Sequence, residues 1–298
     1  MIGVVVVEEG GRLAEWLAAR NELEPDEPLL MEQLLARRAA EPRRHDLLAT
    51  AGGDIVGVGS VGPKGSPPDL AYGYLGTLLK WKDLDVASVL LAELRRIARM
   101  LGRSRLELWA GEDDHGLIAL LEANGFREVM REGGLALDVA DAPCSREEPH
   151  LPEGVTVEPV GSRVDLGRGA YEVAVEAWCD IPGETGIEER EPWIMLHVNG
   201  APDGALVTVL AGEVVGFAGL RRLDGAGLYE HGLIAVRRGH RRRGIARAMK
   251  IAQLRWLREH GARRVVTWNA EANEPARMLN LSLGYTRLPS SIAFHGPA

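Results

Sequence analysis

Cysteine is nearly absent: the 298 residues include only Cys144 and Cys179. Two distant thiols exclude a disulfide framework and a thiolate metal cluster. The eight histidines are scattered, none paired at helical i, i+4 spacing beside a carboxylate, so no bound metal is expected. Long apolar runs are also missing. "VVVV", from Val4 to Val7, is strand-length, far short of the roughly 20 residues of a membrane helix. It lacks the basic flank and small-residue cleavage site of a signal peptide. The reading is a soluble, cytoplasmic protein with no membrane partner. Lysine is scarce, with four against 31 arginines. In so biased a chain a single arginine says little, and only clustering carries a signal.

The composition itself is ordinary, with 46% apolar residues and a net charge of −8. The length suits two domains. A shift of 159 positions lays residues 52–126 on 211–285 without a gap. Gly53, Val56 and Gly57 then fall on Gly212, Val215 and Gly216. Gly102, Arg105, Trp109, Glu112 and Gly125 fall on Gly261, Arg264, Trp268, Glu271 and Gly284. Two copies of one fold follow. The expected domains are 1–140 and 154–298, with the proline- and charge-rich 141–153 as linker.

In the second copy, 154–160 alternates as a strand, and 165–179 and 187–199 read as helices around the Pro182–Gly183 turn. Two β-rich runs meet at Gly212 as a hairpin, followed by a strand over 228–236 and a helix over 244–260. Ile245, Met249, Ala252 and Trp256 share one face of that helix, with Arg243, Arg247, Lys250 and Arg258 placed largely elsewhere. Strand, helix and strand close the copy, giving an α/β fold with a mixed sheet.

"VRRGHRRRGIARAMK", residues 236–250, places five arginines between Arg237 and Arg243, where the strand ends and the helix begins. A helix start exposes unpaired N–H groups and carries about half a positive charge. Glycine and alanine at 244 and 246 admit a ligand close to the backbone, and arginines add charge-assisted bonds to phosphate oxygens. A cofactor phosphate fits this placement better than a solvated basic face. It also fits better than nucleic acid, which a net-acidic chain without further basic surface would repel.

"RRRGIA", Arg241 to Ala246, resembles the Arg/Gln-x-x-Gly-x-Gly/Ala signature of the GNAT superfamily of acyl-CoA-dependent N-acyltransferases. "NEPARMLNLSLGY" is similar to its later helix and strand. The resemblance covers about 145 residues of the second copy, and the tandem looks like mycothiol synthase and other two-domain members. It implies two GNAT-like domains, each a largely antiparallel mixed sheet flanked by helices. It further implies acetyl-CoA as acyl donor and direct transfer to a small-molecule amine. Ile234, Ala235 and Val236 would pair with the pantetheine arm. Arg241, Arg242, Arg243, Gly244, Ile245, Ala246 and Arg247 would hold the pyrophosphate. Asn273 falls near the pantetheine in this scheme, or else caps its helix ahead of Pro275.

Glu230 and His231 are candidate bases on opposite faces of their strand, with water as the third option. A partly buried Glu230 would occupy the place that a general-base glutamate holds in histone-acetylating members. Many members have a tyrosine where this chain has Asn280, which can stabilise a thiolate but cannot protonate it. Tyr285 is read as core. The resemblance makes Glu176–Trp193 the acceptor segment. Asp180, Glu184, Glu188 and Glu189 form an acidic lip there and Trp178 and Trp193 its walls, unless the acids cap helices and the tryptophans pack. In the first copy, Lys82, Asp85 and Ala87 replace Arg241, Gly244 and Ala246, and Asp83 adds charge. That copy is expected to bind no acetyl-CoA. The reading from another class is a non-catalytic acyl-CoA-binding module.

Overall fold

The computed structural model describes residues 2–298 except 9, 26, 66, 82–84, 162, 181–192, 195–200, 202 and 225. Two compact units emerge: Met1–Arg131 with Pro289–Ala298, and Glu132–Leu288. Among the described residues no helix is long and apolar enough to cross a membrane.

In the first unit β1 (Ile2–Val7), β2 (His45–Ala51), β3 (Asp54–Pro63), β4 (Leu70–Thr77) and β5 (Arg105–Gly111) lie side by side in chain order. β13 (Ser291–Pro297) adds to β5. Only β4 and β5 are parallel. Helices α1 (Gly11–Leu23), α2 (Met31–Ala40), α3 (Val86–Met100) and α4 (His115–Ala123) accompany the sheet. The α3 residues Leu90, Leu91, Leu94 and Ile97 share a core with Phe126, Ile292 and Phe294.

The second unit repeats the plan with β7 (Val155–Pro159), β8 (Leu206–Leu210), β9 (Glu213–Arg222), β10 (Leu228–Val236) and β11 (Arg264–Ala270). Beside β11 lies the end of β6 (Arg127–Asp138), which the two-residue β12 (Thr286–Arg287) also joins. α5 (Val164–Trp178) packs over Phe217 and Ala235, and α6 (Ile245–Glu259) over Ala218 and Val236. Alternation along β9 and β10 thus gives each helix its own face. α7 (Glu274–Ser282) completes the set. The β8–β9 hairpin turns at Ala211 and Gly212, both at positive φ (50° and 85°), as a two-residue loop requires.

The 159-residue repeat is present in the backbone register. Ala49 faces Gly57 and Thr208 faces Gly216, and each pairing shifts just after the first residue named. The expected boundary, however, is displaced. β13 pairs Pro297 with Arg105, and β6 pairs Asp138 with Arg264, positions related by the same shift. Each copy's last strand therefore completes the other copy's sheet. Nor is 141–153 simply a linker: Val139, Ala142 and Cys144 are buried in the second unit's core, where the Cys144 thiol donates to the Leu283 carbonyl (3.2 Å). The charge and proline of this stretch hid two inward-facing small side chains, Ala142 and Cys144, next to the buried Val139.

Deleting residues 289–298 should therefore unfold the first unit. It removes the buried Ile292, Ala293 and Phe294 together with the strand paired along the whole of β5. Losing two large core side chains costs roughly 5 kcal/mol or more, comparable to a domain's whole stability. Limited proteolysis should degrade the N-terminal half first. Equal protection of both halves would contradict this.

Candidate active site

β10 and β11 pair in parallel at only three positions, Leu228–Arg264, Tyr229–Val265 and Glu230–Val266. Beyond them the strands part. At the fork the Thr267 hydroxyl donates to the His231 carbonyl (3.3 Å). The pairing of β10 with β9 shifts between His231 and Ile234, a β-bulge that turns the local backbone outward. Past the fork, the β11-facing edge of β10 is left for an extended chain to add as a strand. β4 and β5 also part after three pairs, but β4 runs against β3 without a shift. The additional residue makes β10 nine residues long against eight in β4. The gap-free alignment is thus one residue out of step between β9 and the bulge.

From the end of β10 the chain enters the arginine knot. Arg242 (φ 62°) and Gly244 (φ 82°) both have left-handed backbone, the kind of turn in which successive N–H groups can form an anion-binding concavity. A Cβ on Gly244 would meet nothing within 4 Å, so conformation, not crowding by protein, calls for glycine, and the approach is open. Ala248 is the first α6 amide bonded to a helix carbonyl, that of Gly244 (3.0 Å). The amides of Ile245, Ala246 and Arg247 before it have no carbonyl of the helix to pair with, as at any helix start.

The arginines are not a free basic patch. Glu172 and Glu176 of α5 pair with Arg237 (3.5 and 3.6 Å), and Asp180, four residues on, bridges Arg238 and Arg241 (2.7 Å each). Arg247 reaches Glu147 (3.4 Å), and Arg241 Nε donates to the Val236 carbonyl (2.8 Å). This acidic stripe neutralises much of the knot and weakens the nucleic-acid reading further. It also corrects the placement of Asp180, which belongs to the knot rather than to an acidic lip. Its two arginine hydrogen bonds hold its carboxyl at about 2. Glu184, Glu188 and Glu189 lie outside the described residues.

Glu230 is the α5-side residue at the fork, partly buried with a side chain 16% exposed. Arg221 on β9 donates through Nε (2.9 Å) and Nη2, both to Oε2. His231 points the other way, 2% exposed, with the Gln253 side chain beside it but no well-formed hydrogen bond to either ring nitrogen. Burial, aided by the Lys250 charge, pushes it well below the usual histidine range, so it stays neutral and cannot serve as the base facing an acceptor. Asn280 is also buried and donates to Asn269 on β11 (2.8 Å). Asn273 is the N-cap of α7, accepting from the Ala276 amide (3.4 Å), which agrees with its capping reading. Trp193 is core, packed against Tyr171 and Phe217 (5.6 and 4.9 Å between rings), and so is no pocket wall. Trp178 is half-buried at the end of α5. Lys250, read as lying off the buried face of α6, is instead only 3% exposed.

The sequence reading missed Arg221, Thr267 and Asn269. Their roles come from strand register, which a lone sequence does not display. The first unit confirms the contrast at Asp85. This residue occupies the N-cap of α3 with φ −74°, so the left-handed step of Gly244 is missing there. Lys82 and Asp83 lie outside the described residues.

Residues 170–285 match the model of the Acetyltransferase (GNAT) family. Mycothiol acetyltransferase of Thermomonospora curvata is 27% identical over 214 residues, 68% of each chain. The fold is similar to a GCN5-related N-acetyltransferase from Sphaerobacter thermophilus, with TM-score 0.75 and 20% identity, covering 99% of this chain and 95% of that one. It is also similar to a tandem GNAT protein from the clavulanic acid biosynthesis pathway, with TM-score 0.78 and 18% identity, covering 100% and 98%. The family match thus falls within the second unit, on the residues that carry the bulge and the cradle, and the chain as a whole is an acyltransferase with a tandem fold similar to those of GNAT proteins.

Proposed function

We propose that the second unit binds acetyl-CoA and transfers its acetyl group directly to a primary amine of a small molecule, while the first unit serves as scaffold. One observation carries this reading: the bulge and the left-handed cradle occur together in the second unit, and among the described residues the first unit has neither. The turn at Arg242–Gly244 with the start of α6 would hold the pyrophosphate. Ile234, Ala235 and Val236 would then carry the pantetheine arm along β10, which leads the thioester toward the bulge and the fork. Glu230 would accept the amine proton through Oε1, which no described residue occupies with a hydrogen bond.

The test is a thermal shift with acetyl-CoA followed by release of free CoA thiol across amino sugars, amino acids, polyamines and amine antibiotics. Binding without turnover on any amine would instead favour a non-catalytic acyl-CoA module. The absence of a tyrosine at Asn280 gives that reading its support.

Asp180 competes with phosphate for Arg238 and Arg241. Asp180→Asn should therefore tighten acetyl-CoA binding by a few-fold at most, the scale of an exposed ion pair. Calorimetry at low and high salt checks this. Unchanged affinity at low salt would show that these arginines do not meet the phosphates.

A further inference from the structure

Behind the fork, on the α6 side of the sheet, lies a set of buried polar groups that proton removal at Glu230 does not use. His231, Lys250, Gln253, Thr267, Asn280 and Tyr285 are each at most 3% exposed. Both His231 nitrogens, Tyr285 Oη, Gln253 Oε1 and Asn280 Oδ1 lack a well-formed hydrogen bond. Lys250 Nζ lies 5.1 Å from the centre of the Tyr285 ring, and the His231 and Tyr285 rings are 6.1 Å apart. No described carboxylate pairs with Lys250. Each buried polar atom left unsatisfied costs about 1–3 kcal/mol, so such a concentration needs a reason.

The other copy supplies a control. Shifted by 159 positions, Lys250, Gln253, Thr267, Asn280 and Tyr285 become Leu91, Leu94, Leu108, Leu121 and Phe126. All five are buried in one apolar cluster. The same backbone thus packs well with apolar side chains, in the copy whose described residues form neither bulge nor cradle. The polar set accompanies the bulge and cradle; the fold does not need it.

Acyl transfer needs a proton for the departing thiolate, and Asn280 has none to give. The geometry points to Lys250 as the source of that proton, delivered to the CoA sulfur at the fork, with His231 and Tyr285 lining its path. This rests on the reading that acetyl-CoA occupies the fork. As the amine nitrogen bonds to the acetyl carbon, the C–S bond breaks and its electron pair leaves on sulfur. The Lys250 ammonium then gives its proton to sulfur, yielding free CoA thiol and a neutral amine that solvent reprotonates. The proton taken by Glu230 returns to solvent. The groups facing Lys250 decide the assignment. Burial keeps His231 neutral and, with Cys144 nearby, keeps the Tyr285 phenol protonated, whereas burial alone brings Lys250 down to about 7.

The chain has only four lysines, so carbon-13 labelling at lysine Cε gives few NMR signals, and Lys250→Met identifies the buried one. The Lys250 signal should titrate near pH 7 in the free protein. Its midpoint should rise by about a pH unit with bound CoA and not with desulfo-CoA, which lacks the sulfur. Lys250→Met, which removes a buried charge without a cavity, should stay folded and bind acetyl-CoA. Its rate should fall at least tenfold, and the loss of activity above pH 7 should disappear. If both ligands bind and the Lys250 signal answers them alike, the assignment is overturned while the acetyl-CoA reading stands. If neither ligand binds, both readings fail.

Discussion

Gly244→Asp should reduce acetyl-CoA affinity by about 100-fold, which is about 2.7 kcal/mol. The substitution copies into the second unit the residue that the first unit has at the same helix start, Asp85. Two effects add. A side chain at φ 82° is strained by roughly 1–2 kcal/mol, which disfavours the turn at the helix start. The carboxylate then enters the open space above Gly244, where a phosphate would have to approach. Gly244→Ala separates these effects, because it keeps the strain and omits the charge; it should lose affinity by less. Titration calorimetry on the wild type should give one acetyl-CoA per chain. Two sites per chain, or an aspartate variant that binds normally, would refute the cradle. Asp85→Gly should not create a second site, because β4 lacks the bulge.

Glu230→Gln should lower kcat by 10²- to 10⁴-fold, the usual worth of a positioned general base, with acetyl-CoA affinity unchanged. The amide keeps the shape and can still accept from Arg221 but cannot take a proton. The structure gives the assignment its geometry: Glu230 is the last paired residue before the fork, on the face opposite His231. Both Arg221 bonds fall on Oε2, so that Oε1, which no described residue hydrogen-bonds, would be the oxygen to take the proton. Stopped-flow measurement of thiol release isolates the chemical step. Full activity in the glutamine variant would remove Glu230 from the mechanism and leave the proton to water.

Much of the fold was legible because it rests on local periodicity. The strand over 228–236, the helix after Gly244 and the hairpin at Gly212 all follow from alternation, a 3.6-residue stripe and turn glycine. The cradle was legible for the same reason, since a helix start and its glycine are neighbours in sequence. The acceptor side was not. Asp180 read as a lip and Trp193 as a wall because composition says which residues are acidic or aromatic, not what they face. Lys250 read as off the buried face because a charged side chain on an amphipathic helix normally meets water.

By itself the sequence determined that this chain is two copies of one α/β fold, and that one copy has Gly244 at a helix start where the other has Asp85. Those facts are properties of single segments and of their comparison at a fixed shift. Only the tertiary structure decided that the last strands are exchanged between the copies and that β10 bulges at His231. It alone showed that Glu230 answers to Arg221, and that a buried lysine stands behind the fork. These depend on which strands become neighbours and in what register. Backbone hydrogen bonding and core packing settle that across distances that no local pattern spans.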